Sequence, residues 1–120
     1  MKATDYVEKQ KSKKHGYGIF AKDKIRQGVK IGEYTGRKLA CNTKTKSWFL
    51  FEVKKKRSRQ CMHIIDGSTT IIRFINHANN DDEQNCKFYQ YKGRIFLKTI
   101  KKIERGNELL AWYGENTNKI

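Results

Sequence analysis

The chain contains no proline and only three cysteines, and its acidic residues are far outnumbered by its basic residues. No apolar run approaches the roughly 20 residues that a membrane-spanning helix needs. The first residues, Met1-Lys2-Ala3-Thr4-Asp5, lack the apolar centre of a secretory signal peptide. These absences argue against a spanning helix and predict a soluble, intracellular protein.

The three cysteines, Cys41, Cys61 and Cys86, stand far apart in the sequence, and no Cys-x-x-Cys or Cys-x-Cys pair occurs. Structural zinc sites use closely spaced cysteines, and small secreted domains pair an even number of cysteines in disulfides. We therefore expect three free thiols in a reducing compartment and no metal site.

Lys and Arg number 27 against 12 Asp and Glu, which gives a formal net charge of +15. Such an excess produces a positive field that attracts polyanions, so nucleic acid or a nucleoprotein such as chromatin is one expected neighbour. The alternative is that the lysines only solvate a small domain. The most basic stretch, Lys54 to Arg59, lies between two apolar runs and is expected to be an exposed hairpin loop. A role in nuclear import or nucleic-acid binding and simple solvation both remain open for this loop.

A chain of 120 residues fits a single domain, residues 1–120, with a modest core. Short apolar runs separated by glycine-containing turns favour strands over helices and predict a mainly β fold. Lys92-Gly93 is expected at the tip of a hairpin, and a single helical turn is one interpretation of Ile71 to Ile75. The expected strands are Tyr6–Val7, Ile19–Phe20, Lys30–Tyr34, Trp48–Val53, Met62–Ile65, Lys87–Tyr91, Arg94–Leu97 and Leu109–Trp112.

Four short motifs hold residues that could carry chemistry, and each of them alone has an ordinary structural explanation. Gly16-Tyr17-Gly18 is typical of a turn, and Tyr34 before Gly36 is typical of a core aromatic. Asn76-His77 follows an apolar approach, so this polar pair needs partners or a ligand. Glu108 to Gly114 is an apolar run that ends in a tyrosine and a glycine.

The order and spacing of these motifs, over residues 14–114, resemble the SET-domain protein lysine methyltransferases. Residues 79–114 resemble the PR subclass most closely, and the chain is similar to small stand-alone SET proteins of viruses and microbes. Two details depart from the pattern: Asn76-His77 is intact where PR members commonly lack the histidine, and Ala78 stands where serine is usual. The cysteine-rich zinc segment that follows many SET domains is missing after Gly114.

The resemblance implies a SET fold of several small β-sheets with little helix and a C-terminal pseudoknot that places Asn76-His77 beside Tyr113. It implies Tyr113 as the catalytic residue, with Tyr34 on the opposite wall of the methyl passage. The cofactor implied is S-adenosylmethionine. Its expected binding residues are His15, Gly16, Tyr17, Arg73, Asn76 and His77, and the expected substrate channel is lined by Phe49, Phe88, Ala111 and Trp112.

The implied substrate is a histone lysine or another lysine-containing protein, and the implied location is the nucleus. Chromatin or DNA could contact the basic surface, and no membrane partner is expected. A homodimer is an open alternative to a monomer. The small Ala111 and the hydroxyl-free Phe49 and Phe88 favour methylation beyond the first methyl group. Two other functions compete: an inactive PR-like interaction module, and a basic β domain that stacks nucleic-acid bases on exposed aromatics.

Overall fold

The computed structural model describes residues 2–14, 16–44 and 49–112, with Trp112 described by its backbone alone. These residues form short strands and two short 3-10 helices, Ala3–Asp5 and Ile71–Phe74. The strands are β1 Val7–Lys11, β2 Tyr17–Ala21, β3 Lys30–Glu33, β4 Arg37–Leu39, β5 Leu50–Lys54, β6 Cys61–Asp66, β7 Asn76–His77, β8 Cys86–Tyr91, β9 Arg94–Thr99 and β10 Leu110–Trp112. The predicted mainly β fold is confirmed, and so is the helical turn before Asn76. No helix among the described residues is long and apolar enough to cross a membrane.

The strands form three sheets. β1 and β2 make an antiparallel ribbon, β4-β6-β5 make a three-stranded sheet, and β3-β9-β8-β10-β7 make a five-stranded sheet. The sequence pattern missed β4 because Arg37–Leu39 is short and mostly exposed. The predicted strand Trp48–Val53 is seen as Leu50–Lys54, and Trp48 lies outside the described residues.

The predicted hairpin at Lys92-Gly93 is confirmed, since these residues connect β8 and β9 with φ angles of 51° and 75°. Left-handed φ at both central residues is the turn geometry that matches the twist of the flanking strands. The basic loop between β5 and β6 is likewise at a hairpin tip, and residues 55–60 are exposed.

The core is filled by aliphatic and aromatic side chains from all three sheets. Ile31, Ile95 and Leu97 from the five-stranded sheet are fully buried, as are Phe51 and Val53 from β5. Because strand residues alternate between faces, each of these short strands contributes only a few side chains to this core. The core therefore depends on many strands meeting rather than on one long apolar element.

β10 lies between β7 and β8, two strands that a loop of residues 78–85 connects. Its pairing is parallel on both sides, with Leu110 opposite Asn76 and Ala111 opposite Cys86. Asn85 fixes the insertion: its side chain donates to the Glu108 carbonyl at 2.9 Å and accepts from the Leu110 amide at 2.8 Å. A late strand is thus inserted between two earlier ones, as the predicted pseudoknot requires, while Tyr113, which that prediction places beside Asn76-His77, lies outside the described residues.

A disulfide joins Cys41 and Cys61, so the expectation of three free thiols is wrong for this pair. β4 and β6 are antiparallel neighbours with Leu39 opposite Ile64, and this pairing brings the two cysteines to a Cα–Cα distance of 6.0 Å. That contact depends on the pairing of β4 with β6, so the spacing of the cysteines in the sequence does not predict the disulfide. Cys86 is free, as expected, and it is buried.

Candidate functional site

The candidate site lies where three of the sequence motifs meet. The segment that leads into β10 first pairs with β2: the Ala21 amide donates to the Asn107 carbonyl, and the Leu109 amide donates to the Ile19 carbonyl, both at 2.9 Å. The same segment then continues as β10 beside β7. The Gly-x-Gly motif, the Asn-His pair and the final motif are therefore joined by main-chain hydrogen bonds.

A carboxylate is the centre of this junction. The Glu108 side chain accepts hydrogen bonds from the Ser12 hydroxyl, at 2.8 and 2.9 Å to its two oxygens, and from the Asn76 amide at 2.8 Å. The Asn76 amide also donates to the Tyr17 carbonyl at 3.1 Å. Sequence reasoning assigned a role to Asn76 but none to Ser12 or Glu108. Glu108 stood in the quoted motif, and a partner for the polar Asn76 was the signal that could have identified it.

The two glycines of the Gly-x-Gly motif have different reasons to be glycine. A Cβ at Gly18 would overlap the Glu108 carboxylate and would lie 3.2 Å from the Asn76 amide nitrogen. Gly16 has a φ of +48° and open space where its Cβ would be. Gly18 thus allows the carboxylate to approach the β2 backbone, whereas Gly16 allows the left-handed turn that precedes it.

An aromatic surface with associated cations adjoins this junction. The half-exposed Tyr17 ring meets the Phe74 ring edge to face at a centroid distance of 6.3 Å. The Lys9 ammonium lies 4.3 Å from the Tyr17 centroid and 4.2 Å from that of Phe74. The Arg73 guanidinium lies 4.3 Å from the Phe74 centroid and donates to the Thr70 carbonyl at 2.6 Å. Cations on ring faces attract the electron-rich π surface and hold the rings in place.

Two of the predicted wall residues lie deep in the core. Tyr34 is fully buried, and its hydroxyl donates to the Phe49 carbonyl at 2.9 Å. Its ring packs edge to face against Phe51 at 4.7 Å and Phe88 at 6.0 Å. The partly buried Phe49 packs against Phe74 at 6.2 Å. Tyr34 and Phe88 therefore belong to an aromatic cluster that Phe49 connects to the site, and their predicted roles toward substrate stay predictions.

The remaining predicted residues divide into those the structure places and those it does not describe. His77 is exposed on β7 and pairs in register with Ala111, which is fully buried. His15 and Tyr113 lie outside the described residues, as does the side chain of Trp112. The backbone of Trp112 pairs with Lys87 of β8.

An ion pair holds the Gly-x-Gly segment to the loop between β7 and β8. The Lys14 ammonium lies 2.6 Å from one Glu83 carboxylate oxygen and donates to the other at 2.8 Å. The Asn79 amide donates to the same carboxylate at 3.1 Å. The hydrogen bond from Lys14 and then that from Asn79 lower the pKa of Glu83 below its usual 4.5, so this carboxylate is charged at neutral pH.

Buried thiol chemistry does not contribute to the site. Cys86 on β8 is free and lies opposite Ala111, and burial raises the pKa of its thiol far above the usual value. A thiol is a nucleophile only as the thiolate, so Cys86 is an apolar core residue at neutral pH.

Comparison with known proteins gives consistent results. A family model described as the PR domain of PR domain zinc finger protein 2 matches residues 5–120. The histone-lysine N-methyltransferase set-17 of Caenorhabditis elegans is 35% identical over 117 residues, which are 92% of this chain and 40% of that protein. PR domain zinc finger protein 14 of Mus musculus is 32% identical over 112 residues, which are 87% of this chain and 19% of that protein.

A solved structure, the methyltransferase domain of human PR domain-containing protein 2, superposes with a TM-score of 0.73 at 26% sequence identity. The match covers 89% of this chain and 76% of that structure. The chain spans only 19% and 40% of the two curated relatives described above, so it is comparable with one part of each.

Proposed function

Because this chain belongs to the PR-domain family of SET-like domains, we propose that it is an S-adenosylmethionine-dependent protein-lysine N-methyltransferase. The observation that carries the proposal is the junction at Glu108. There Ser12 and Asn76 are both hydrogen-bonded to one carboxylate, and the Tyr17 carbonyl accepts from Asn76. Segments distant in sequence converge on this point, beside an exposed aromatic ring.

The residues of the junction fit the chemical groups of S-adenosylmethionine. Its amino-acid part carries an ammonium and a carboxylate, and its adenosine part has a flat aromatic face. Glu108 and Asn76 offer polar groups, and Arg73 offers a cation for the carboxylate. The half-exposed Tyr17 ring and the open backbone at Gly16 offer a flat surface with room for close approach. We propose Gly16, Tyr17, Arg73, Asn76 and His77 as binding residues, together with His15 from the same motif.

When bound, S-adenosylmethionine supplies a methyl group already activated by a positively charged sulfur. The protein therefore has to align a lysine amine and keep it uncharged. A free lysine has a pKa near 10.4, so a neutral amine costs about 4.6 kcal/mol at pH 7. An apolar channel lowers that pKa by desolvation, and fixed alignment replaces the entropy cost of a bimolecular encounter.

We propose Tyr113 as the catalytic residue that orients the amine through its hydroxyl, with Tyr34, Phe49, Phe88, Ala111 and Trp112 as channel residues. A phenol suits this position because it offers a hydrogen-bonding group without the charge of a carboxylate. Tyr113 follows directly on β10, whose backbone pairs with the Asn76-His77 strand. This pairing supports its assignment to the same site.

The proposed substrate is a histone lysine, since set-17 and other similar proteins are named as histone-lysine methyltransferases. The proposed location is accordingly the nucleus. The small, buried Ala111 and the hydroxyl-free Phe88 support methylation beyond the first methyl group. Mass spectrometry of reacted peptide under excess S-adenosylmethionine should show dimethyl- or trimethyl-lysine, and monomethyl-lysine alone would contradict this part of the proposal.

Two measurements test the function itself. Calorimetry should detect S-adenosylmethionine binding, with at least a tenfold loss in Asn76→Ala and no loss in the matched control Asn42→Ala, which changes an exposed asparagine outside the junction. Radiolabelled methyl transfer to a panel of histones and nucleosomes should then be abolished or strongly reduced by Tyr113→Phe. A parent protein that folds but binds no S-adenosylmethionine would favour the interaction module, and full activity of Tyr113→Phe would remove Tyr113 from its role.

A further inference from the structure

The basic loop between β5 and β6 is a folded hairpin tip. The Lys55 amide donates to the Gln60 carbonyl at 2.8 Å, and the Ser58 amide donates to the Lys55 carbonyl at 3.1 Å. The Gln60 amide also donates to the Ser58 hydroxyl at 3.0 Å. Arg57 occupies the left-handed φ of 58° that such a tight turn requires. The charges of this segment are therefore displayed on a fixed loop.

The hairpin is held against its neighbour, the β8–β9 hairpin. The Gln90 side chain accepts from the Lys54 amide at 2.9 Å and donates to the Lys54 carbonyl at 2.6 Å. On the other strand, the Met62 sulfur would lie 3.7 Å from a Cβ at Gly93, in the tip of the β8–β9 hairpin. These contacts hold the β8–β9 hairpin, whose tip carries the exposed Lys92, against the two strands that lead into the basic loop. We call the exposed tip residues 55–60 together with Lys92 the basic ridge.

The basic ridge has a high density of positive charge. Residues 55–60 contain Lys55, Lys56, Arg57 and Arg59 and no acidic residue. Within the described part of the chain, Lys55, Lys56 and Arg57 form no ion pair. Some cations elsewhere are paired, as Lys14 is with Glu83 and Lys102 with Glu104. The ridge therefore concentrates positive charge on one folded hairpin tip, where a polyanion can contact it.

We propose that the basic ridge binds the phosphate backbone of duplex DNA, with the β5–β6 hairpin directed toward a groove. A two-stranded β-ribbon fits the major groove, which is about 12 Å wide. Lysine and arginine contacts to phosphates supply most of the non-specific affinity for DNA. This activity goes beyond methyl transfer and depends on none of the residues of the Glu108 junction.

The composition of residues 55–60 favours duplex DNA over other anionic partners, while the exposed Tyr91 and Met62 flank the ridge and make the single-strand and vesicle measurements below necessary. Binding of single strands uses aromatic side chains on which bases stack, and residues 54–60 contain no aromatic residue. Insertion into a membrane interface uses apolar side chains beside the cations, and the tip has none. The hydrogen bonds that close the loop disfavour the extended conformation in which a groove on another protein would take a basic peptide.

The test compares two triple variants that lose the same formal charge. Lys55→Gln, Lys56→Gln and Arg57→Gln neutralise the ridge. Lys24→Gln, Arg26→Gln and Arg105→Gln neutralise exposed cations of the segments joined by the Ile25–Ile103 bridge. Binding to a fluorescent duplex of about 20 base pairs is followed by anisotropy over a series of salt concentrations. The melting temperature checks that both variants fold. Calorimetry with S-adenosylmethionine tests the methyltransferase proposal independently, so that its failure can be told apart from failure of the DNA-binding proposal.

The ridge variant is expected to lose at least tenfold in duplex affinity at about 0.1 M salt. The slope of log affinity against log salt should fall by roughly 2 to 3, because each lost phosphate contact removes about 0.9. The control variant should keep most of the parent affinity and slope. Equal losses in both variants would overturn the proposal, as would absence of duplex binding in the parent. Tighter binding of the parent to a single strand or to phosphatidylserine vesicles would overturn the assignment to duplex DNA.

Discussion

At the scale of single residues, the junction depends on the Glu108 carboxylate, which accepts hydrogen bonds from protein groups instead of from water. Glu108 accepts from Ser12 and Asn76 in a partly buried position, and hydrogen bonds to an ionised acceptor are stronger than neutral ones. Gly18 makes room for this carboxylate. A Cβ added at Gly18 should therefore disturb the three segments that contain Ser12, Asn76 and Glu108.

We expect Gly18→Ala to destabilise the fold by about 1–3 kcal/mol, because the new Cβ displaces a carboxylate whose donors are then left unpaired. Equilibrium denaturation measures this loss. S-adenosylmethionine binding should weaken in the same variant. Glu108→Gln, which keeps one acceptor oxygen, should lose less stability than Glu108→Ala. A Gly18→Ala protein as stable as the parent would show that the carboxylate can move without cost.

His63 gives a second prediction at this scale. Burial first, and then the nearby Lys38 charge, lower the pKa of His63 below its usual 6.5. The unfolded chain binds this proton more readily than the folded chain does. The free energy of unfolding is therefore not reduced by His63 above about pH 6.5, and it falls as the pH drops from there toward the folded-state pKa. His63→Gln should flatten that decline in urea midpoints measured from pH 8 to pH 5. Protonation of Glu83, whose pKa is lowered from 4.5, also reduces folding stability, but it does so in a separate pH range below about 4.5.

At the scale of elements, the sequence predicted strand positions well wherever apolar residues alternate or a turn has a clear signature. Lys92-Gly93 predicted its hairpin because a two-residue connection needs left-handed backbone. Arg37–Leu39 was missed because strand pairing with β6, rather than its own side chains, makes it a strand. The β7 and β10 pairing is parallel and non-local, so only the resemblance to a known family implied it.

The disulfide is also a consequence of element pairing, and it gives the third prediction. Cys41→Ser should lower stability under oxidising conditions by about 3 kcal/mol, the usual effect of opening a loop of this size; the cysteines are 20 residues apart. Parent and variant should unfold alike in dithiothreitol, which removes the cross-link from the parent. Titration of three thiols in the denatured, unreduced protein would contradict the disulfide.

At the scale of the whole molecule, the net charge of +15 creates repulsion within a small domain. Ion pairs such as Lys14–Glu83 and Arg94–Glu33 offset part of it locally. Lys55, Lys56 and Arg57 at the β5–β6 tip have no such ion pair in the described part of the chain, so they contribute repulsion as well as the proposed affinity for DNA. Net charge far from zero destabilises the compact state.

We therefore expect the melting temperature to rise by several degrees between low salt and about 0.3 M sodium chloride, because added ions screen the repulsion. Differential scanning fluorimetry measures it. The ridge variant, which has lost three of the charges, should start from a higher melting temperature at low salt and rise less. A melting temperature that is independent of salt would mean that the ion pairs already balance the repulsion.

The amino-acid sequence by itself determined the β character and the turn positions, because these follow from local backbone preference. It also indicated Asn76, through an amide that needs a partner at the end of an apolar approach. Only the tertiary structure decided that the partner is Glu108, that Cys41 meets Cys61, and that the β8–β9 hairpin packs against the β5–β6 hairpin. Each of these contacts joins residues brought together by strand pairing across the chain, and the free energy of that pairing belongs to the assembled sheets rather than to any one segment.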